Sequence, residues 1–157
     1  MPRWPWLLLT HAAVAAAGFA GGIYTLPLLI APPPPPAAEL SALAGQALFT
    51  GRFRRDLPGS DRLHWGEGDV AVGREAISLQ GKLAPGPDYK LYLSPEFVDD
   101  EASFARFKPR MLRVGDVKTF SNFVVPLPPG TDPAAYTTVV VWCETFGEFI
   151  SAAKYRD

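Results

Sequence analysis

Five consecutive prolines, residues 32–36, constrain what this chain of 157 residues can fold into more than any other feature of its sequence. Proline has a fixed backbone angle and no N–H group, so such a run enters neither a helix interior nor the middle of a sheet. It adopts extended polyproline II at about 3.1 Å per residue, or roughly 15 Å in all. We therefore predict a stiff linker at residues 32–45. A ligand for a proline-recognising domain is the alternative.

The part of the chain before the linker is apolar. Between Pro5 and Pro27 lie 21 residues without a charge, and as a helix they would be about 30 Å long, which matches a bilayer core. We predict a transmembrane anchor over residues 1–31. A cleavable signal peptide is the rival interpretation, because Gly18 and Ala20 are small residues at positions that a signal peptidase reads. Cleavage there would expose a long apolar stub, which favours an uncleaved anchor.

The charges that flank the anchor predict its orientation. Arg3 and the α-amino group precede the anchor, whereas the first charge after it is Glu39. Positive charge is retained on the cytoplasmic side of a membrane helix, so we expect the N-terminus in the cytoplasm. The sequence thus predicts a single-pass protein of the inner or plasma membrane, with its folded domain in the periplasm or outside the cell.

Residues 46–157 are expected to form one folded domain. Apolar residues recur there with a period of two, between glycine and proline turns, which is typical of short strands. The segment 94–107 differs, because Ser94 can cap a helix, Pro95 suits the first helical position and phenylalanines recur at helical spacing. Many short strands with one short helix predict an all-β fold, an antiparallel β-sandwich.

The most strand-like segment of the domain is the apolar run from Val139 to Cys143. A strand without a polar break is usually covered on both faces, so this run predicts a central strand of a sheet. Alternation places Cys143 on one face with Val139 and Val141, and Trp142 on the other.

The composition excludes several classes of function. The formal net charge is −1 and 20% of the residues are charged, which gives no reason to expect nucleic-acid binding. With one cysteine there is no internal disulfide, and no cysteine or histidine cluster has the spacing of a zinc, iron–sulfur or covalent haem motif. Signatures of serine hydrolases and phosphate-binding loops are absent.

The single thiol, Cys143, has two interpretations. A reactive cysteine needs exposure and a lowered pKa. No lysine or arginine lies next to this one in sequence, and Glu144 would oppose a thiolate. The other interpretation is a small apolar residue of the core. An unpaired cysteine outside the cytoplasm is a liability, however, and this favours a functional use.

His64, the only histidine of the domain, is the second candidate site residue. Asp61, three residues earlier, would orient the ring, which could then bind iron or a divalent metal with Cys143 or Met111 as a second ligand. A surface histidine bonded to a local carboxylate is the alternative. Because a lone histidine is a poor metal site, we predict none.

Five segments together carry a resemblance to a known family. They are "GRF" at residues 51–53, "DRLHWGEGDVAV", "GPDYKLYLSP", "VGDVKTFSNFVVPLP" and "DPAAYTTVVVWCETFGEFISAAKY". Over residues 48–157 the chain resembles the DM-thirteen electron-transfer domain, found in Skeletor-type proteins beside DOMON modules and alone in bacterial membrane-anchored proteins. The resemblance implies a β-sandwich with a redox role centred on Cys143, either as a bare thiol or as a ligand of a group such as haem. It also implies a redox partner protein.

We therefore expect a membrane-tethered electron-transfer module that acts through Cys143 and does not turn over a substrate. The alternative function is a binding or scaffolding sandwich that recognises a sugar, an envelope polymer or a protein. Exposed rings such as Trp65 and Tyr92 would serve that second function, because aromatic rings stack on sugars and on protein partners.

Overall fold

The computed structural model of the protein describes residues 3–157. Residues 1–2 of the predicted anchor, with the α-amino group that we used to orient it, lie outside the described residues. The helices of the described part are α1 (Trp4–Ile30), α2 (Ala37–Gly45) and α3 (Glu101–Phe107). Its strands are β1 (Phe49–Phe53), β2 (Gly66–Val72), β3 (Ala76–Leu83), β4 (Tyr89–Ser94), β5 (Leu112–Val117), β6 (Ser121–Pro126), β7 (Thr138–Cys143) and β8 (Glu148–Lys154).

The N-terminal helix α1 is apolar along its whole length. It has 27 residues and carries no acidic or basic side chain in its first or last turn. Among the described residues it is the one helix long and apolar enough to cross a membrane. Its most apolar stretch is not covered by the rest of the chain.

The strands form two antiparallel sheets. Sheet I has the order β1-β2-β3-β6, and sheet II has the order β5-β4-β7-β8. The predicted antiparallel β-sandwich is confirmed. β7 lies inside sheet II between β4 and β8, and all of its residues are buried, so the predicted central strand is confirmed as well.

The main core lies between the two sheets and is largely aliphatic. Side chains of β4, β7 and β8 meet those of β2, β3 and β6 there, and Val139, Val141 and Cys143 are all members. The alternation predicted for β7 therefore holds, because Trp142 belongs to a separate cluster on the outer face of sheet II.

Helix α2 lies in the segment predicted as linker, and the sequence analysis did not anticipate it. Pro36 is its N-cap in an extended conformation and Glu39 stands in its first turn, where a carboxylate is favourable. Leu40 is 2% exposed, and the helix contacts β2 and β3. Burial of this one leucine against sheet I stabilises a helix that is too short to persist by itself.

Helix α3 covers the outer face of sheet II. It begins at Glu101 with Asp100 as N-cap, and Ser103 completes a capping box. The expected cap at Ser94 was wrong, because Ser94 is the last residue of β4 and is buried there. Phe104 of α3 stacks on Trp142 with ring centroids 3.8 Å apart and an interplanar angle of 5°.

Candidate functional site

Cys143 is the last residue of β7. It pairs with Tyr89 of β4 and with Glu148 of β8. The residue is 2% exposed and is a free thiol. Its side chain packs in the core between the sheets. The fold therefore places the thiol at the end of a rigid central strand and under a closed surface.

The surroundings of the Cys143 thiol have opposing effects on its pKa. Burial, the larger effect, raises the pKa of Cys143 because it disfavours the thiolate. The backbone N–H groups of Phe146, Asp88 and Thr145 lower the pKa by stabilising a charged sulfur, while the carboxylate of Asp88 raises it. The net result is a raised pKa, so the group is a neutral thiol near neutral pH.

The chain that covers the sulfur is tied together by hydrogen bonds. After β7 the N–H of Glu144 donates to the carbonyl of Asp88 at 3.0 Å, and the hydroxyl of Thr145 donates to the Asp88 carboxylate at 3.1 Å. The ammonium of Lys90 lies 2.6 Å from Asp88 and 2.9 Å from Asp116. This network of side chains, Asp88 with Lys90 and Asp116, is the polar cap over the Cys143 end of the sandwich.

Tyr89, the cross-strand partner of Cys143 on β4, lines a groove on the surface. Its ring is buried and meets Phe120 edge-to-face with centroids 5.9 Å apart. Burial raises its pKa, and the neighbouring Cys143 adds to that effect. A groove of about 850 Å³ lies between α1 and this end of the domain, with Pro87, Tyr89 and Phe120 in its wall. Cys143 is not among the residues that line this groove.

The packing around the sulfur does not fit haem. A haem ligand needs an open face beside the thiolate, whereas Cys143 is enclosed by its neighbours on β4 and β8 and by the turn after β7. Among residues 3–157, no group of three or more His, Cys, Asp or Glu side chains is arranged to hold a metal ion. The arrangement suits a bare thiol.

His64 lies in the loop before β2, with 28% of its side chain exposed. Its Nδ1 is 3.2 Å from Oδ2 of Asp61, and Oδ1 of Asp61 accepts from the N–H groups of Leu63 and His64 at 2.6 and 2.7 Å. The predicted Asp61–His64 contact is therefore present. Within the described chain no hydrogen bond joins this ring to Cys143.

Met111 packs against the outer-face cluster of sheet II, whereas Cys143 lies on the inner face of the same sheet. The fold therefore does not bring this second possible iron ligand together with the thiol.

A polar and aromatic cluster on the outer face of sheet II was not anticipated from the sequence. The hydroxyl of Tyr92 donates a hydrogen bond to Oε1 of Glu144. The ammonium of Lys108 donates to both oxygens of that carboxylate, at 3.0 and 2.9 Å. Phe104 lies edge-to-face on Tyr92 at 5.3 Å and is stacked on Trp142. We call these five side chains the outer cluster.

Of the two rings expected to be exposed, Tyr92 is buried and Trp65 is partly covered. Tyr92 is 5% exposed and lies within the outer cluster, so the expectation of an exposed ring was wrong there. Trp65 is partly covered, because the guanidinium of Arg55 lies 3.3 Å from its ring centroid. The same guanidinium donates two hydrogen bonds to Glu67.

The alternation of strand β4 was the one sequence signal for the outer cluster. It places Tyr92 and Lys90 on the face opposite Leu91 and Leu93, but it does not show that a helix covers that face. The partners Glu144 and Lys108 come from later segments of the chain, which no local pattern connects to β4.

Residues 56–155 match a family model described as "Electron transfer DM13". The match covers most of the sandwich and includes Cys143 and the outer cluster. No curated protein and no solved structure matches the chain.

Proposed function

The chain belongs to the electron transfer DM13 family, and on that premise we propose that it is a membrane-tethered electron-transfer protein whose redox group is the bare thiol of Cys143. Its partner is a redox protein on the same side of the membrane, and neither a nucleic acid nor a turnover substrate is part of the proposal.

The observation that carries the proposal is the position of the sole thiol in the part of the chain that matches the family. Cys143 ends a strand whose residues are all buried, and its side chain packs in the core between the two sheets. Such a sulfur is held rigidly, and a rigid environment keeps the cost of reorganisation on electron transfer low. The same burial protects it from disulfide exchange with other thiols.

The redox step uses one electron. A one-electron oxidant on the partner protein takes an electron from the sulfur, the S–H bond breaks, and its proton passes to water through the polar cap. Reduction by one electron and uptake of one proton restore the thiol. Tyr89 pairs with Cys143 and lines the groove, so the proposed path of the electron crosses this ring.

The tether is α1. Trp4 and Trp6 near its start and Tyr24 near its end are exposed, as expected of rings that mark the two interfaces of a bilayer. The 21 residues from Trp4 to Tyr24 correspond to about 30 Å of helix, the thickness of the hydrocarbon core. The proposed organisation is an anchor at residues 1–31, a linker at 32–45 and a periplasmic or extracellular domain at 46–157.

The experiment that tests the redox role compares the full-length protein in detergent with its Cys143→Ser variant. The matched control is Val141→Ala, which removes volume from the same buried face of β7 and leaves the thiol in place. We expect the wild type and V141A to exchange electrons with a one-electron acceptor such as ferricyanide, and C143S to lose that exchange. Equal exchange by all three proteins would refute the role of the thiol.

Two further measurements on the same samples define the thiol. Alkylation of the folded protein by iodoacetamide should be slow and should become fast in denaturant, because the group is buried and its pKa is raised. The absorption spectrum of the purified protein should show no Soret band. A Soret band in the wild type that is lost in C143S would show that Cys143 is a haem ligand and not a bare thiol.

A binding or scaffolding module is the second candidate. The closed burial of Cys143 favours it, because a sulfur that only packs needs no access. The Arg55 and Trp65 pair would then form part of the recognition surface. Under this alternative C143S keeps the full function and loses only stability.

The location is tested separately from the redox role. We expect the full chain to remain in the membrane fraction after a carbonate wash, and alkaline phosphatase fused after residue 157 to be active outside the cytoplasm. A mature protein whose N-terminus begins after residue 20 would instead support the signal-peptide interpretation.

A further inference from the structure

We propose that Tyr92 is a second redox site of this protein, a phenol that gives one electron to a metal centre of a partner protein and its proton to the carboxylate of Glu144. The proposal shares the redox role stated above but does not depend on Cys143.

The phenol and the carboxylate are already joined. The hydroxyl of Tyr92 donates a hydrogen bond to Oε1 of Glu144, and hydrogen bonds to an ionised acceptor are among the strongest in proteins. A phenol becomes much easier to oxidise when a base takes its proton in the same step, because the phenol radical cation is a very strong acid. The pair therefore supplies what proton-coupled oxidation requires.

The charges around the pair favour an ionised Glu144. Burial raises the pKa of this carboxyl, but hydrogen bonds from Tyr92 and Lys108 and the charges of Lys108 and Arg113 outweigh burial and hold it below its ordinary value. Burial and the bond to Glu144 raise the pKa of Tyr92. The charge of Arg113 lowers it and that of Asp88 raises it, both by smaller amounts. At neutral pH the pair is thus a phenol and a carboxylate, which is the reactive form.

The side chains packed around the Tyr92 ring would shield a tyrosyl radical from solvent. Tyr92 is 5% exposed and packs edge-to-face on Phe104, which is stacked in turn on Trp142. Trp142 is a second oxidisable ring, and it is joined to Cys143 by one peptide bond on the opposite face of β7. The outer cluster thus connects the surface around Lys108 with the strand that carries the thiol.

In the proposed step Tyr92 loses one electron to a ferric or cupric centre of the partner, which becomes ferrous or cuprous. The O–H bond of Tyr92 breaks, and its proton moves along the existing hydrogen bond to Oε1 of Glu144. The products are a neutral tyrosyl radical and a protonated Glu144, and the reverse transfer of one electron and one proton restores both groups.

Other positions in the chain provide a matched control. Tyr155 is a buried tyrosine too, at 8% exposure, but its hydroxyl donates to the backbone carbonyl of Pro133 at 2.8 Å. A backbone carbonyl is too weak a base to take the proton of an oxidised phenol, whereas a carboxylate can take it. Tyr155→Phe therefore removes a buried phenol that lacks a base, whereas Tyr92→Phe removes the phenol that has one.

The experiment oxidises the full-length protein in detergent with light, using tris(bipyridine)ruthenium(II) and persulfate, and follows the radical by electron paramagnetic resonance. We expect a long-lived tyrosyl signal in the wild type and in Y155F, and its loss in Y92F. In Glu144→Gln the signal should form about 100-fold more slowly, at the lower end of what a positioned proton acceptor contributes.

Three results would overturn the proposal: no long-lived tyrosyl signal in the folded wild type, a signal that persists in Y92F, or equal losses in Y92F and Y155F. Y92F keeps the buried ring and removes one hydroxyl, so it decides the matter even if E144Q does not fold. Cys143→Ser should leave the signal unchanged. Loss of ferricyanide exchange in C143S with an intact tyrosyl signal, or loss of the tyrosyl signal in Y92F with intact ferricyanide exchange, separates the two redox sites.

Discussion

The two faces of sheet II are packed with different kinds of side chain, mostly aliphatic on the inner face and mostly aromatic on the outer face. On the inner face Cys143 lies among aliphatic side chains such as Val139, Val141 and Leu91. On the outer face, one residue away in the chain, Trp142 lies among aromatic rings and next to an ion pair. One sheet therefore holds a sulfur among aliphatic side chains on one face and a phenol bonded to a base on the other.

The difference follows from what covers each face. Sheet I closes the inner face completely, and a dry aliphatic core favours neutral groups. The outer face is covered by α3, by the turn after it and by the loop residues Leu57 and Val98. Glu144 keeps 26% and Lys108 keeps 45% of the side chain exposed there. Partial access to water allows charged groups to stand beside buried rings.

The largest expected effect comes from removing the cover of the outer face. Phe104→Ala deletes a ring that is 1% exposed and stacked on Trp142, and we expect a loss of about 3–5 kcal/mol in the free energy of unfolding. Phe97→Ala removes a phenylalanine that is 40% exposed and serves as control, with little change. Denaturant titration followed by circular dichroism measures both, and equal losses in the two variants would contradict a specific role for α3.

The next effect comes from the base of the outer cluster. Glu144→Ala leaves the buried hydroxyl of Tyr92 without its acceptor, which should cost about 1–3 kcal/mol in unfolding free energy. The folded pKa of Glu144 is lowered, so its contribution to stability is present above the ordinary glutamate pKa and is lost as pH falls through the lower, folded value. Unfolding titrations from neutral to acid pH should therefore show the variant and the wild type converging at low pH. A constant difference between them would contradict this assignment.

The sequence predicted the architecture well because architecture depends on periodic patterns. The period of two in the domain and the apolar run ending at Cys143 placed a buried central strand in a sandwich, and both predictions are confirmed. The proline run at 32–36 likewise lies outside every helix and strand. Each of these signals is local, and a single segment carries it.

The sequence did not predict features that depend on contacts between distant segments. Helix α2 is present because Leu40 is buried on sheet I, and α3 begins at Asp100 because β4 continues through Ser94. The bond from Tyr92 to Glu144 joins residues that are 52 positions apart. It depends on the register of β4 against β7, which no single segment specifies.

A smaller effect is expected at the polar cap beside the Cys143 end of β7. Lys90→Met removes the ammonium that joins Asp88 to Asp116, and only 13% of this lysine side chain is exposed. We expect a loss of about 1 kcal/mol, the upper range for a partly exposed ion pair. We also expect faster alkylation of Cys143 by iodoacetamide, because the cap opens more often. Unchanged alkylation together with a loss of stability would mean that the cap does not control access to the thiol.

The smallest effect is expected from a control variant, Arg52→Met. It tests whether loss of any surface cation changes stability and thiol access as the loss of Lys90 does. Arg52 pairs with Asp69 across β1 and β2 at 3.2 Å, but 71% and 73% of the two side chains are exposed. Water and salt screen such a pair, so Arg52→Met should leave the unfolding free energy within about 0.5 kcal/mol of the wild type. Alkylation of Cys143 should also be unchanged. If R52M and Lys90→Met alter both measurements equally, the polar cap has no specific role, and the stability of the whole sandwich alone determines access to the sulfur.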